Sequence, residues 1–132
     1  MRKTIIAGNW KMNKGTNAEA KALLEDIKSG LPELGELEVV ICPPFTVLGG
    51  AQEFLRKVPI KLGAQTMEYR TSGAYTGEIS PTMLQDLGMD YVILGHSERR
   101  DYYGESDQAV NEKIKAAITH GLTPILCVGE SL

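Results

Sequence analysis

Short runs rich in apolar and β-branched residues alternate along this chain with longer stretches whose apolar positions recur every three or four residues. The short runs are Thr4 to Gly8, Glu38 to Cys42, Ile60 to Ala64, Tyr91 to Leu94 and Thr123 to Val128; each has the length of a strand buried in a parallel sheet. Between them, Ala20, Leu23, Leu24 and Ile27 share one helical face, with Asn17 as the expected cap and Gly30 as the stop. A second helix is expected from about Thr46 toward Arg56. Ser80 followed by Pro81 opens a third, closed by Gly88. Ser106 opens a fourth, whose Val110, Ile114, Ala117 and Ile118 form an apolar stripe ending at His120 and Gly121. This alternation predicts an α/β fold in a single domain over residues 1–132, with about five parallel strands and four helices coiled by right-handed crossovers into an arc of barrel.

Composition adds constraints without changing that picture. The chain has 132 residues, 42% hydrophobic and 23% charged, with a net charge of −3, values of an ordinary globular protein. Such a balance offers nothing to nucleic acid or to a bulk anionic surface, so a phosphate would need a local site. No apolar run approaches the roughly 18 residues of a membrane span, and the stretch after Met1-Arg2-Lys3 is too short for a signal peptide. We therefore expect a cytoplasmic protein with no membrane partner. Cys42 and Cys127 form neither a metal-ligand spacing nor a disulfide framework, and read as reduced, small buried hydrophobes.

Chemistry concentrates where strands stop. Tyr91 to Leu94 runs into Gly95-His96-Ser97-Glu98-Arg99-Arg100, which puts an imidazole at a strand tip. Thr4 to Ala7 runs into Gly8-Asn9-Trp10-Lys11-Met12-Asn13, which puts a carboxamide and an ammonium at another. Taken alone, a lone histidine is more often satisfied at a turn, and a lysine after a strand is often just solvated. These two blocks combine, in order, with Cys42-Pro43-Pro44-Phe45, Ser72 to Ser80 and Pro124 to Glu130. With all five blocks, essentially the whole chain resembles triosephosphate isomerase.

The resemblance implies a partial (β/α)8 TIM barrel. It also implies the interconversion of dihydroxyacetone phosphate and glyceraldehyde 3-phosphate, a step of glycolysis and gluconeogenesis, with a triose phosphate as substrate and no cofactor or metal. His96 would be the electrophile that polarises the carbonyl as a neutral imidazole, an effect for which this family is itself a standard illustration. Lys11 would neutralise the phosphate and the developing enediolate. Asn9, on the same face, would support the oxyanion. Glu98 would hold the lysine in position, and Ser97 would touch the catalytic carboxylate. The loop from Gln65 to Ser80 would enter a neighbouring subunit, with Thr76 completing the partner's pocket. Gln65-Thr66-Met67 departs from the Gln-Asn found in many relatives. Cys127 reads as packing, since no base accompanies it.

A full barrel of this kind takes roughly 250 residues. The resemblance places the catalytic base after a sixth strand and the phosphate-gripping loops after the seventh and eighth. Three expectations follow for these 132 residues: a half-barrel inactive alone, a split enzyme that a C-terminal half completes, or a self-assembling module without activity. Bare strand edges and an uncovered apolar face favour self-association into a dimer or higher oligomer.

Overall fold

Five strands form where the apolar runs lie: β1 (Ile5–Asn9), β2 (Glu38–Cys42), β3 (Ile60–Ala64), β4 (Tyr91–Leu94) and β5 (Thr123–Leu126). The helices between them are α1 (Asn17–Gly30), α2 (Leu48–Phe54), α3 (Pro81–Asp86), α4 (Ser97–Tyr103) and α5 (Asp107–Thr119), and a 3-10 turn, Phe45–Val47, leads into α2. This computed structural model describes residues 2–132. The fold class is α/β, a partial TIM barrel of five parallel strands and five helices. The chain divides into two compact units, Met1–Gln65 and Thr66–Leu132.

In the first unit β1 pairs in parallel with β2, from Ile5 beside Glu38 to Asn9 beside Cys42. The next pair, β2 and β3, starts at Val39 beside Ile60. Leu24, Val40, Cys42, Leu48 and Leu62 bury their side chains almost completely. Helix α1 begins one residue earlier than expected. Thr16, not Asn17, is the cap: its hydroxyl oxygen accepts the Glu19 N–H at 3.4 Å and donates to the Glu19 carboxylate at 2.9 Å. Thr16 is extended while Asn17 is already helical, and only a residue outside the helix can turn its side chain back onto the first-turn donors. Gly30 is the last helical residue rather than the stop; extended Leu31, before Pro32, ends the helix. Strand β1 is exposed along its whole length, with Ile6 59% accessible.

In the second unit β4 and β5 pair in parallel, from Tyr91 beside Thr123 to Leu94 beside Leu126. Leu84, Val92, Leu94, Val110, Ala117 and Leu122 make the core. Ser80 caps α3 by accepting the Met83 N–H at 3.2 Å, and Gly88 leaves the helix at φ +76°. Ser106 caps α5, and its hydroxyl accepts the Ala109 N–H at 3.1 Å. The stripe on α5 differs from the expected one. Ile118 is 65% exposed, whereas Lys113 is buried beside Val110, Ala116 and Ala117. Its ammonium has an acidic partner described below.

Both cysteines are free thiols. Burial pushes the Cys42 thiol up to about 12. Desolvation also raises the thiol of half-buried Cys127, opposed by Arg100 and reinforced by Glu105. Because the folded-state value of Cys42 is raised, the stability it contributes is intact below the ordinary thiol range and is lost as pH rises toward about 12. A thiol reagent at pH 8 should therefore label Cys127 and spare Cys42 until denaturant is added. Equal labelling of the two in the folded chain would contradict this packing.

Candidate active site

In the first unit, the turn after β1 combines backbone strain with the groups that hold it. Beyond β1, Lys11 takes a left-handed conformation with φ +54°, which costs a non-glycine residue about 1–2 kcal/mol. Two side chains fix it there. The Asn9 carboxamide oxygen accepts the Lys11 N–H at 2.9 Å, and the Gln65 amide donates to the Lys11 carbonyl at 2.8 Å and to the Cys42 carbonyl at 3.0 Å. Trp10 N–H adds a bond to the Cys42 carbonyl at 3.1 Å. With one lone pair of its oxygen used by the backbone, Asn9 keeps its NH2 donors for a ligand. Gln65, which anchors this turn from the end of β3, was not picked out from the sequence; a polar residue directly after a buried strand was the available signal.

In the second unit β4 ends at Gly95, whose φ is +73°. His96 follows as the N-cap of α4, and its Nδ1 accepts the Glu98 N–H at 3.1 Å. The Glu98 carboxylate lies 3.7 Å from the same nitrogen. That contact is an ion pair only when Nδ1 carries a proton; with Nδ1 accepting the Glu98 N–H, it is not one. The tautomer follows: the neutral ring carries its proton on Nε2. Ser97 starts α4, and both Ser97 and Glu98 sit in its first turn. A cleft of about 650 Å³ opens here, lined by His96, Ser97, Arg100, Cys127 and Glu130 among others. A larger one, about 820 Å³, lies at the opposite ends of the first unit's strands, around Lys3, Glu38 and Lys61, and holds none of the candidate residues.

The loop that carries Thr76 closes on itself. The Arg70 guanidinium stacks between Tyr69 and Tyr75, 4.5 and 4.3 Å from the ring centres, and pairs with Glu68 at 3.3 Å. Glu68 N–H bonds to the Ile79 carbonyl at 2.8 Å, which ties the two ends of the loop together. Gly73 has φ +132°, and a Cβ there would lie 2.8 Å from the Tyr75 ring. Thr76 is exposed at the tip. At the loop's start, the Thr66 hydroxyl is buried without a hydrogen-bond partner. Among the described residues, no group of three or more His, Cys, Asp or Glu side chains is placed to hold a metal ion.

A buried charge cluster under His96 went unread in the sequence. Gly104, left-handed at φ +65°, ends α4 and turns the chain back, so that Glu105 N–H reaches the Arg99 carbonyl at 3.1 Å. The Glu105 carboxylate is 2% exposed and has three donors: Gly95 N–H at 2.8 Å, Arg99 Nε at 2.9 Å and Lys113 Nζ at 2.7 Å. Arg100 completes the arrangement from the other side, donating from Nε to the Gly95 carbonyl at 2.7 Å and pairing with Asp107 at 2.6 Å. The legible signal was Lys113 itself, a cation in the buried stripe of α5 that needs an acidic partner.

Burial by itself would raise the Glu105 carboxyl. Bonds from Lys113 and Arg99, the Lys113 charge and the Gly95 N–H outweigh it, and the carboxyl lies below the usual carboxylate range. A lowered folded-state value contributes stability that is complete above the unfolded-state range and is lost as pH falls through the folded-state value. Glu105→Gln should thus cost about 3–5 kcal/mol at neutral pH, the usual loss when one partner of a buried pair is removed. It should also flatten the acid limb of stability. Urea midpoints measured against pH check both; parallel acid limbs for the two proteins would contradict the assignment.

Comparison with known proteins agrees with this geometry. The family model described as triosephosphate isomerase matches residues 4–132. The curated triosephosphate isomerase of Trichodesmium erythraeum is 58% identical to the chain over 132 residues, 99% of this chain and 54% of the relative. That of Chloroflexus aurantiacus is 54% identical over 131 residues, 99% of this chain and 52% of the relative, and that of Carboxydothermus hydrogenoformans is 54% identical over 132 residues, 100% and 52%. The chain thus spans about half the length of the curated relatives it matches. Strand ends that present Asn9, Lys11 and His96, the alternation of strands and helices, and a family match over nearly every residue lead to one conclusion: the chain belongs to the triosephosphate isomerase family.

Proposed function

We propose that these 132 residues supply the electrophilic half of a triosephosphate isomerase site, for the interconversion of dihydroxyacetone phosphate and glyceraldehyde 3-phosphate. The observation that carries the reading is the Glu98 N–H on His96 Nδ1, which leaves Nε2–H as a neutral donor for a carbonyl oxygen. In the proposed step a base takes the proton from the carbon beside the carbonyl, the electron pair moves onto the carbonyl oxygen, and an enediolate forms. By the family resemblance, His96 Nε2–H, the Lys11 ammonium and the Asn9 NH2 group are assigned to stabilise that oxygen. A proton then passes from the neighbouring hydroxyl oxygen to the former carbonyl oxygen, and the base returns its proton to the former carbonyl carbon, which gives the isomer. Glu98 steadies Lys11, Ser97 contacts the base, and Thr76 completes the pocket of a second subunit. The base and the phosphate-binding loops come from the half of the relatives that this chain does not span.

We propose further that the chain acts in the cytoplasm and self-associates. No helix among the described residues is long and apolar enough to cross a membrane. Exposed Ile5 and Ile6 on β1, with Tyr102 and Tyr103 on α4, supply apolar surface for contact between copies. Sedimentation across a dilution series should give a dimer or larger species, and a monomer at every concentration would overturn this part.

The 132-residue polypeptide assayed alone should show no turnover above background. Mixed with a polypeptide covering the remaining half of a relative, it should gain activity, which Lys11→Ala abolishes and His96→Ala lowers by about 10²- to 10³-fold. Turnover by the chain alone that His96→Ala removes would contradict the division of labour. Complementation indifferent to both substitutions would contradict the site.

A further inference from the structure

The buried acid of the second unit is joined to the candidate electrophile by backbone alone. Gly95 lies between them, and both its polar groups are held by side chains: its N–H by Glu105 at 2.8 Å, its carbonyl by Arg100 at 2.7 Å. The grip leaves no slack. A Cβ on Gly95 would stand 2.7 Å from the Arg100 guanidinium, and φ +73° is a conformation that L side chains rarely adopt. The carbonyl that Arg100 holds belongs to the peptide group linking Gly95 to His96, so fixing it fixes the plane from which the His96 backbone departs. The ring is then oriented by the bond from Glu98 N–H to Nδ1.

We infer that Glu105 is a positioning residue for His96, acting through the Gly95 amide, with Arg100 as the opposing brace. The carboxylate touches neither the ring nor any atom that would react. Two cations, Arg99 and Lys113, hold it in place, and Lys113 reaches it from inside the α5 stripe. Such an acid gives the N–H of Gly95 a fixed, charged acceptor. Without it the turn after β4 can relax, and the hydrogen bond that sets the imidazole tautomer loses its geometry. A purely structural Glu105 would instead stabilise α4 and α5 while leaving the ring indifferent to its loss.

The inference rests on the reading of His96 as the electrophile, but its test does not use turnover. Nitrogen-15 spectra of the His96 ring and exchange of the Glu98 amide would be recorded for the 132-residue protein and for Glu105→Gln and Glu105→Asp. Asp keeps the charge for Arg99 and Lys113 but draws the oxygen away from Gly95, so it reports should Gln fail to fold. Both folded variants should move the Nδ1 signal toward tautomer averaging, leave the His120 ring signal unmoved, and speed Glu98 amide exchange at least tenfold more than that of the β4 amides, which report the general loss of stability. An unchanged Nδ1 signal and Glu98 exchange in a folded Asp variant would overturn the inference. Failed complementation would count against the isomerase reading alone and leave this result standing.

Discussion

The second unit depends on one buried carboxylate. Removing Glu105 from water is costly, and the cost is met only because three donors converge on it from the end of β4, from α4 and from α5. Those donors come from segments that are separate in the chain. The carboxylate therefore sets the spacing between the strand end and both helices, and helix packing follows from that spacing. Apolar burial of Leu84, Val92 and Leu94 stabilises the unit, but apolar contacts are not directional and would tolerate small shifts of α4. The ion cluster would not.

Each unit uses the same device to present a polar group at a strand end. A residue just past the strand adopts a left-handed backbone, and side chains from elsewhere grip its N–H and carbonyl. In the first unit the residue is Lys11, held by Asn9 and Gln65. In the second it is Gly95, held by Glu105 and Arg100. The difference lies in what the position must carry. Gly95 has no room for a Cβ beside Arg100 and passes the functional role to His96. Lys11 needs its own side chain, so the strain of a positive φ stays in the structure.

Much of this could be read from local pattern. Strands β2, β3 and β4 have the expected limits because their apolar runs are bounded by polar residues and turn formers. The caps Ser80 and Ser106 announce themselves beside Pro81 and Asp107. His96 and Lys11 stood out as polar groups just past the ends of apolar runs. Pattern failed where long-range geometry decides. Thr16 displaced Asn17, intrinsically the better cap, because the backbone leaves the extended conformation after Thr16 and Asn17 is already helical. Ile118 faces solvent while Lys113 faces inward because an acid more than one helical turn away, invisible to periodicity, sits under the latter. Gln65 reaches Lys11 across 54 residues of chain.

The central claim is that the Gly95 amide is fixed by a buried ionised acceptor, and amide hydrogen exchange at Gly95 in the intact chain tests it most directly. Gly95 lies just past the last residue of β4, where an ordinary turn amide would open freely. The account predicts exchange as slow as that of Val92 and Leu94 inside the strand at neutral pH. Exchange as fast as that of Gly129, in the irregular segment after β5, would contradict it.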